Sequence, residues 1–145
     1  MRKGKAMELK MDKPALEAFL AAEFSQVAGD FAVEAVAPMS LTIRLKVAER
    51  HLRPGGTVSG PSMFALADVS VYLAVLSMIG PKALAVTTSC SMDFMRKPEA
   101  GRDLLCECRL LKLGRVLAVG DGLIFSAGSA QPVARANMTY SIPPG

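Results

Sequence analysis

A chain of 145 residues is long enough for one sizeable core and too short for two, so a single domain is expected. Hydrophobic residues make up 51% of it and the mean hydropathy is +0.33, so a large face is buried between subunits or the chain meets a membrane. The net charge is +4, but the lack of Trp, the two Tyr and the absence of a basic block interleaved with aromatics argue against nucleic acid; a small polyanionic ligand suits the charge.

In chain order, the basic start Met1-Arg2-Lys3-Gly4-Lys5 leads into Glu8, Lys10, Asp12 and Lys13 rather than a continuous apolar run. That excludes an ordinary secretory signal and makes the cytoplasm the expected compartment. Residues 12–28 read as an amphipathic helix: Asp12 is a candidate N-cap and Pro14 stands in the first turn. Leu16, Phe19, Leu20, Phe24 and Val27 recur at helical spacing and Gly29 supplies the stop. Phe31 to Val36 is a short strand ended by Pro38. Leu41, Ile43, Leu45 and Val47 then alternate with Thr42, Arg44 and Lys46, the period-two signature of a half-buried strand.

The chain's organising stretch is Pro61 to Ile79, bounded by Gly60 and Gly80. It is too long for a strand and apolar or small on every face, as a helix enclosed by protein is. It is also long enough to cross a bilayer, but its one ionisable residue, Asp68, is expensive there, and the flanking chain is strand-patterned. An oligomer interface is the better account of the hydropathy.

After Gly80-Pro81, Leu84, Val86, Thr88, Cys90, Met92 and Phe94 are expected on one face of a strand. Residues 95–101 form a loop. Leu104, Cys106, Cys108 and Leu110 alternate along a further strand, and Lys112-Leu113-Gly114-Arg115 has the length and glycine of a hairpin turn. Val116 to Phe125 continues as a strand in which Gly120 and Gly122 predict a bend or bulge. Ala134, Ala136, Met138, Tyr140 and Ile142 form the inner face of the last strand. The cysteines Cys90, Cys106 and Cys108 contain no C-x-x-C pair and read as small core side chains; His51, the only histidine, leaves a metal site without partners.

Strands joined by short turns imply an antiparallel sheet, curled around the one apolar helix. A lone carboxylate in that helix costs several kcal/mol unless it is paired, hydrated or put to use. The stretch Arg53-Pro54-Gly55-Gly56-Thr57-Val58-Ser59-Gly60 before it can bring bare backbone N–H groups to a ligand, and the helix start favours a developing negative charge. Ser59 is a candidate hydrogen-bond donor or helix cap. As a nucleophile it would need His51 as its base, and that residue lies in a different element.

The element order, together with His51-Leu52-Arg53-Pro54-Gly55-Gly56-Thr57-Val58-Ser59-Gly60-Pro61 and then Leu66-Ala67-Asp68, resembles the hotdog-fold acyl-CoA thioesterases of the phenylacetic-acid-degradation (PaaI-like) type. Their pattern runs H-x-N-x-x-G-x-V-H-G-G, then L-A-D or similar. His51, Gly56, Val58 and Gly60 match it and Asp68 falls on the family's carboxylate. Arg53 replaces the asparagine, Ser59 the second histidine and Pro61 the last glycine. The resemblance implies an α+β hotdog fold, with an antiparallel sheet wrapped around one long buried helix. It would occupy residues 30–145, behind an N-terminal segment 1–29 carrying the extra helix.

The resemblance further implies hydrolysis of an acyl-CoA thioester to free acid and CoA. Asp68 would act as base or nucleophile, with the Gly60 N–H on the thioester carbonyl and Ser59 beside them. His51, Arg53, Gly56 and Pro61 would bind substrate, and Arg96, Lys97 and Arg102 would receive the CoA phosphates. No metal and no cofactor beyond the substrate's own CoA is implied. Asp68 lies roughly 10 Å along the helix from Gly60, so both cannot easily meet one carbonyl within a chain. Relatives solve this with a homodimer, or a tetramer of paired dimers, whose sites are shared between subunits. Met63, Phe64, Leu66 and Met92 are expected to line an apolar acyl pocket. A non-hydrolytic acyl-CoA-binding protein and a hotdog dehydratase or hydratase are the alternatives.

Overall fold

The computed structural model describes residues 8–82 and 85–144. Helix α1 (Lys13–Glu23) is followed by strands β1 (Phe31–Ala37) and β2 (Ser40–Leu45), and then by the long helix α2 (Gly60–Ile79). Strands β3 (Val86–Phe94), β4 (Leu104–Leu113), β5 (Leu117–Ser126) and β6 (Pro132–Ser141) complete the chain. The six strands form one antiparallel sheet in the order β1-β2-β4-β5-β6-β3. The sheet wraps α2, of whose 20 residues 12 are buried. The one helix of membrane-spanning length and apolarity among the described residues is therefore the core of the fold.

Period two places the core. Leu41, Ile43 and Leu45 on β2, Leu104, Cys106, Cys108 and Leu110 on β4, and Ala134, Ala136, Met138 and Tyr140 on β6 all turn inward against α2. Gly120 and Gly122 on β5 face the same way. A Cβ at Gly122 would stand 2.8 Å from the Cys106 sulfur, and one at Gly120 would stand 3.1 Å from Leu110 and Val71. These glycines let the layers approach; the nearby bulge lies on the neighbouring strand, between Leu110 and Lys112.

Helix α1 is shorter than its apolar pattern. Asp12 caps it, its carboxylate accepting the Ala15 N–H at 3.1 Å, and Leu16 and Leu20 enter the core. The helix ends before Phe24, whose ring turns edge-on to Tyr72 with centroids 5.6 Å apart; Gly29 falls in a separate 3-10 turn. Glu17 accepts the Val33 N–H at 3.1 Å, so α1 shields the β1 edge of the sheet.

The other edge is β3, and there the single-face expectation fails. The pairing with β6 shifts register between Thr87 and Ser89. Thr87 lies opposite the inward Tyr140, Thr88 is the extra residue, and Cys90, Met92 and Phe94 lie opposite Met138, Ala136 and Ala134. Thr88 therefore does not continue the inner row; Leu84 lies outside the described residues. Most of β3 is exposed, Cys90 included, so that thiol is not a core side chain as Cys106 and Cys108 are. This α+β architecture is the hotdog fold, with α1 added at the N-terminus.

Candidate active site

The loop before α2 is a small hairpin. Leu52 and Val58 form a bridge, the Arg53 N–H donates to the Thr57 carbonyl at 2.9 Å, and the Gly56 N–H donates to the Arg53 carbonyl at 3.0 Å. Gly55 and Gly56 adopt φ of +104° and +87°, which side-chain-bearing residues rarely do. Gly56 thus closes the turn with an N–H already used inside the loop.

His51 lies beneath this hairpin, buried. Its Nδ1 accepts the Ala48 N–H at 2.9 Å, so Nε2 carries the proton toward Asp30, 3.2 Å away. Arg50 also donates to Asp30. Burial pushes the Asp30 carboxyl up, but hydrogen bonds from Arg50 and His51 outweigh it and hold the group below its ordinary 3.8. With both nitrogens engaged, His51 orders the loop from within: its carbonyl takes the Ser59 N–H at 2.8 Å.

At the helix start, the Ser59 Oγ accepts the Ser62 N–H at 3.3 Å and its hydroxyl donates to the Ser62 Oγ at 3.1 Å. The Ser59 carbonyl accepts the Met63 N–H at 3.1 Å, and Pro61 has no N–H. The Gly60 N–H is thereby left as the first-turn donor with no acceptor among the described residues. It opens onto a cavity of about 330 Å³ lined by Arg53, Met63, Phe94, Arg96 and Lys97. Three cations and no acidic side chain surround that space. Arg96 donates to the Pro132 carbonyl at 2.6 Å, while Arg53 and Lys97 have no ion-pair partner among the described residues. Arg102 is not with them: it pairs with Glu99 at 3.3 Å and donates to the Ala127 carbonyl at 3.1 Å. Leu66 is fully buried in the core, and of the four residues expected to line an acyl pocket only Met63 lines this cavity.

Asp68 stands two turns further along α2, on the side the sheet leaves uncovered. Its Oδ1 accepts the Thr87 hydroxyl at 2.7 Å and the Tyr140 hydroxyl at 2.5 Å; the Tyr140 hydroxyl also lies 2.9 Å from the Asp68 carbonyl oxygen. The second carboxylate oxygen, Oδ2, accepts no bond from the described residues. Burial and then the adjoining carboxylate raise Tyr140 well above the ordinary tyrosine value of 10.0, so it stays a donor. Sequence reasoning missed Thr87 and Tyr140. Tyr140 was visible as an inward position of β6, but nothing in a period-two pattern tells where its hydroxyl ends.

A larger depression, about 510 Å³, lies on the outer face of the sheet among Asp93, Arg109, Asp121 and Arg135. Four of its charges pair across strands, Arg135 with Asp93 at 2.7 Å and Arg109 with Asp121 at 3.8 Å, and Glu107 also lines it. The helix-side site is set apart by the Gly60 N–H at a helix start and by a carboxylate held through one oxygen by two hydroxyls.

Among solved structures, a Silicibacter sp. TM1040 protein provisionally named a thioesterase is 65% identical, with 96% of each chain covered and a TM-score of 0.90. The phenylacetic acid degradation protein PaaI of Thermus thermophilus, in a mutant form, is 28% identical over 82% of this chain and 99% of its own, with a TM-score of 0.71. A hypothetical thioesterase protein of Streptococcus pneumoniae, crystallised with coenzyme A, shares the fold at 21% identity, covering 90% of this chain and 98% of its own, with a TM-score of 0.75. The Thioesterase superfamily model matches residues 55–133, a span that holds Gly60, Asp68, Thr87 and most of the cationic cavity. With more than half of its length matched, the chain belongs to the Thioesterase superfamily.

Proposed function

We propose that the protein hydrolyses an acyl-CoA thioester to a free acid and CoA. The observation that carries this reading is the Asp68 carboxylate, held through one oxygen by two hydroxyls and free at the other, on the uncovered side of the core helix. Its free oxygen is placed to take a proton from water or to attack the thioester carbonyl directly. The Gly60 N–H is the donor for the oxygen on which charge gathers, a contribution of about 3 kcal/mol for one well-placed donor. Arg53, Arg96 and Lys97 suit the phosphates of CoA, the molecule held by the Streptococcus relative. Arg53 and Ser59 depart from the family's pattern, and Ser59 serves as the helix cap.

Gly60 and Asp68 are eight residues apart on one helix, about 12 Å along its axis, so they cannot serve one carbonyl within a chain. A second copy, laid against the uncovered face of α2 and the β3 edge, would set its Gly60 opposite this Asp68. That face carries Phe64, Val86, Phe94 and Met95, all between 38% and 54% exposed, an apolar strip a partner would cover. The working assembly is therefore a homodimer, or two such dimers in a tetramer, acting in the cytoplasm.

The test is free-thiol release from short, medium, long and aromatic acyl-CoA thioesters, with phenylacetyl-CoA included because of the Thermus relative. Asp68→Asn should lower turnover about 10²- to 10⁴-fold without changing the fold. Turnover unaffected by that substitution would remove Asp68 from the chemistry. Tight binding of an acyl-CoA with no thiol released would leave a binding protein in place of a hydrolase.

A further inference from the structure

Tyr140 sits in the last strand, outside the loop and helix that carry the motif residues, and is 2% exposed. Its ring leans on Tyr72 with centroids 5.9 Å apart. A phenol has one proton, and here it is shared unequally: the hydroxyl oxygen lies 2.5 Å from the Asp68 Oδ1 and 2.9 Å from the Asp68 carbonyl oxygen. With the Thr87 hydroxyl at 2.7 Å on the same Oδ1, both contacts fall in the range of hydroxyls bonded to an ionised carboxylate.

We infer that Tyr140 is a positioning residue for Asp68: with Thr87 it fixes Oδ1 and turns Oδ2 outward as the reacting oxygen. This rests on the hydrolase reading above for its consequence, though not for its geometry. The groups acting on the pair are few. From α2 comes Tyr72, which feels Glu23 of α1, and β3 supplies only the Thr87 hydroxyl. Among the described residues no Lys, Arg or His forms an ion pair with Asp68. Hydroxyl donors therefore orient this carboxylate where a cation would do so elsewhere, and removing one frees it to turn. Tyr140 is not itself a proton donor to substrate: its proton is held by burial and by the carboxylate beside it.

Tyr140→Phe keeps the ring and deletes the hydroxyl. In the otherwise unchanged protein, kcat should fall about ten-fold, the worth of one hydrogen bond to a charged group, with KM little changed. In a crystal structure of the variant the Asp68 carboxylate should leave its wild-type orientation, a readout that needs no turnover. Wild type that releases no thiol would sink the hydrolase reading and leave that structure to decide this one. A folded Tyr140→Phe protein whose Asp68 carboxylate keeps the wild-type orientation and whose kcat matches wild type would overturn the inference.

Should that variant fail to fold, the wild-type sequence labelled with 3-fluorotyrosine carries only two fluorines, at Tyr72 and Tyr140. Tyr72→Phe identifies the Tyr140 19F signal. That signal should shift in Asp68→Asn; a signal indifferent to Asp68 would also overturn the inference.

Discussion

His51 shows how a motif residue can matter without meeting substrate. Its two nitrogens tie Ala48 to Asp30, and its carbonyl holds Ser59, one residue before the free Gly60 N–H. Asp30 is the hub, accepting from Arg50 and His51 and held below its ordinary value by them, against the push of burial. A carboxyl depressed in the folded state contributes stability above its unfolded value and loses it as pH falls through the folded one. Asp30→Asn should therefore lower stability at pH 7 by about 1–3 kcal/mol, and leave the His51 proton less well placed. In urea titrations the gap between variant and wild type should narrow as pH falls below about 4 and on through the depressed folded value. A gap that does not narrow on acidification would mean that the side chain acts by packing rather than by charge.

At the scale of elements, the inner rows of β2, β4 and β6 were legible because each inward residue is apolar and the extra residues, Thr88, Leu111 and Val133, fall outside those rows. The glycines of β5 point in sequence to a bend or bulge, and a bulge does lie opposite Gly120, on β4; that they also make room for neighbours was not legible, because a missing side chain looks the same whether it serves the backbone or a neighbour. Their neighbours decide it. Gly122→Ala should cost about 1–3 kcal/mol, since the new methyl meets the buried Cys106 sulfur at 2.8 Å, and Gly120→Ala less, because Leu110 and Val71 can shift. Adding Cys106→Ala to Gly122→Ala should recover part of the loss in a chemical denaturation cycle. Simple additivity of the two single changes would rule out the clash. The loop, Gly60 and Asp68 were readable from local sequence. The hydroxyls of Thr87 and Tyr140 were not, because 19 and 72 positions separate them from the acid they hold and no period carries that information.

For the whole molecule, a mean hydropathy of +0.33 sits with an uncovered helix face next to an exposed edge strand. In the proposed dimer, association and turnover must fail together. Phe64→Glu, on that face one turn before Asp68, should give a monomer by sedimentation with an unchanged far-UV spectrum and activity reduced at least about 100-fold, as expected when one of two cooperating groups is withdrawn. A fully active monomer would show that one chain holds a complete site. Cys106 would be no guide to either state: burial foremost pushes its thiol up to about 12, so thiol reagents would report on the exposed Cys90 instead.

The register shift at Thr88 also bears on how this protein can diverge. Upstream of it, Thr87 answers to Asp68; downstream, Cys90, Met92 and Phe94 belong to the exposed length of the edge strand. In an unbroken strand Thr87 would fall on the opposite face from Cys90, Met92 and Phe94, and the extra residue brings both sets to the helix side. With the extra residue between them, the outer length can be rewritten, to change what it touches, while the hydroxyl on the acid stays put. The bulge is a seam between two lengths of strand that selection can tailor separately.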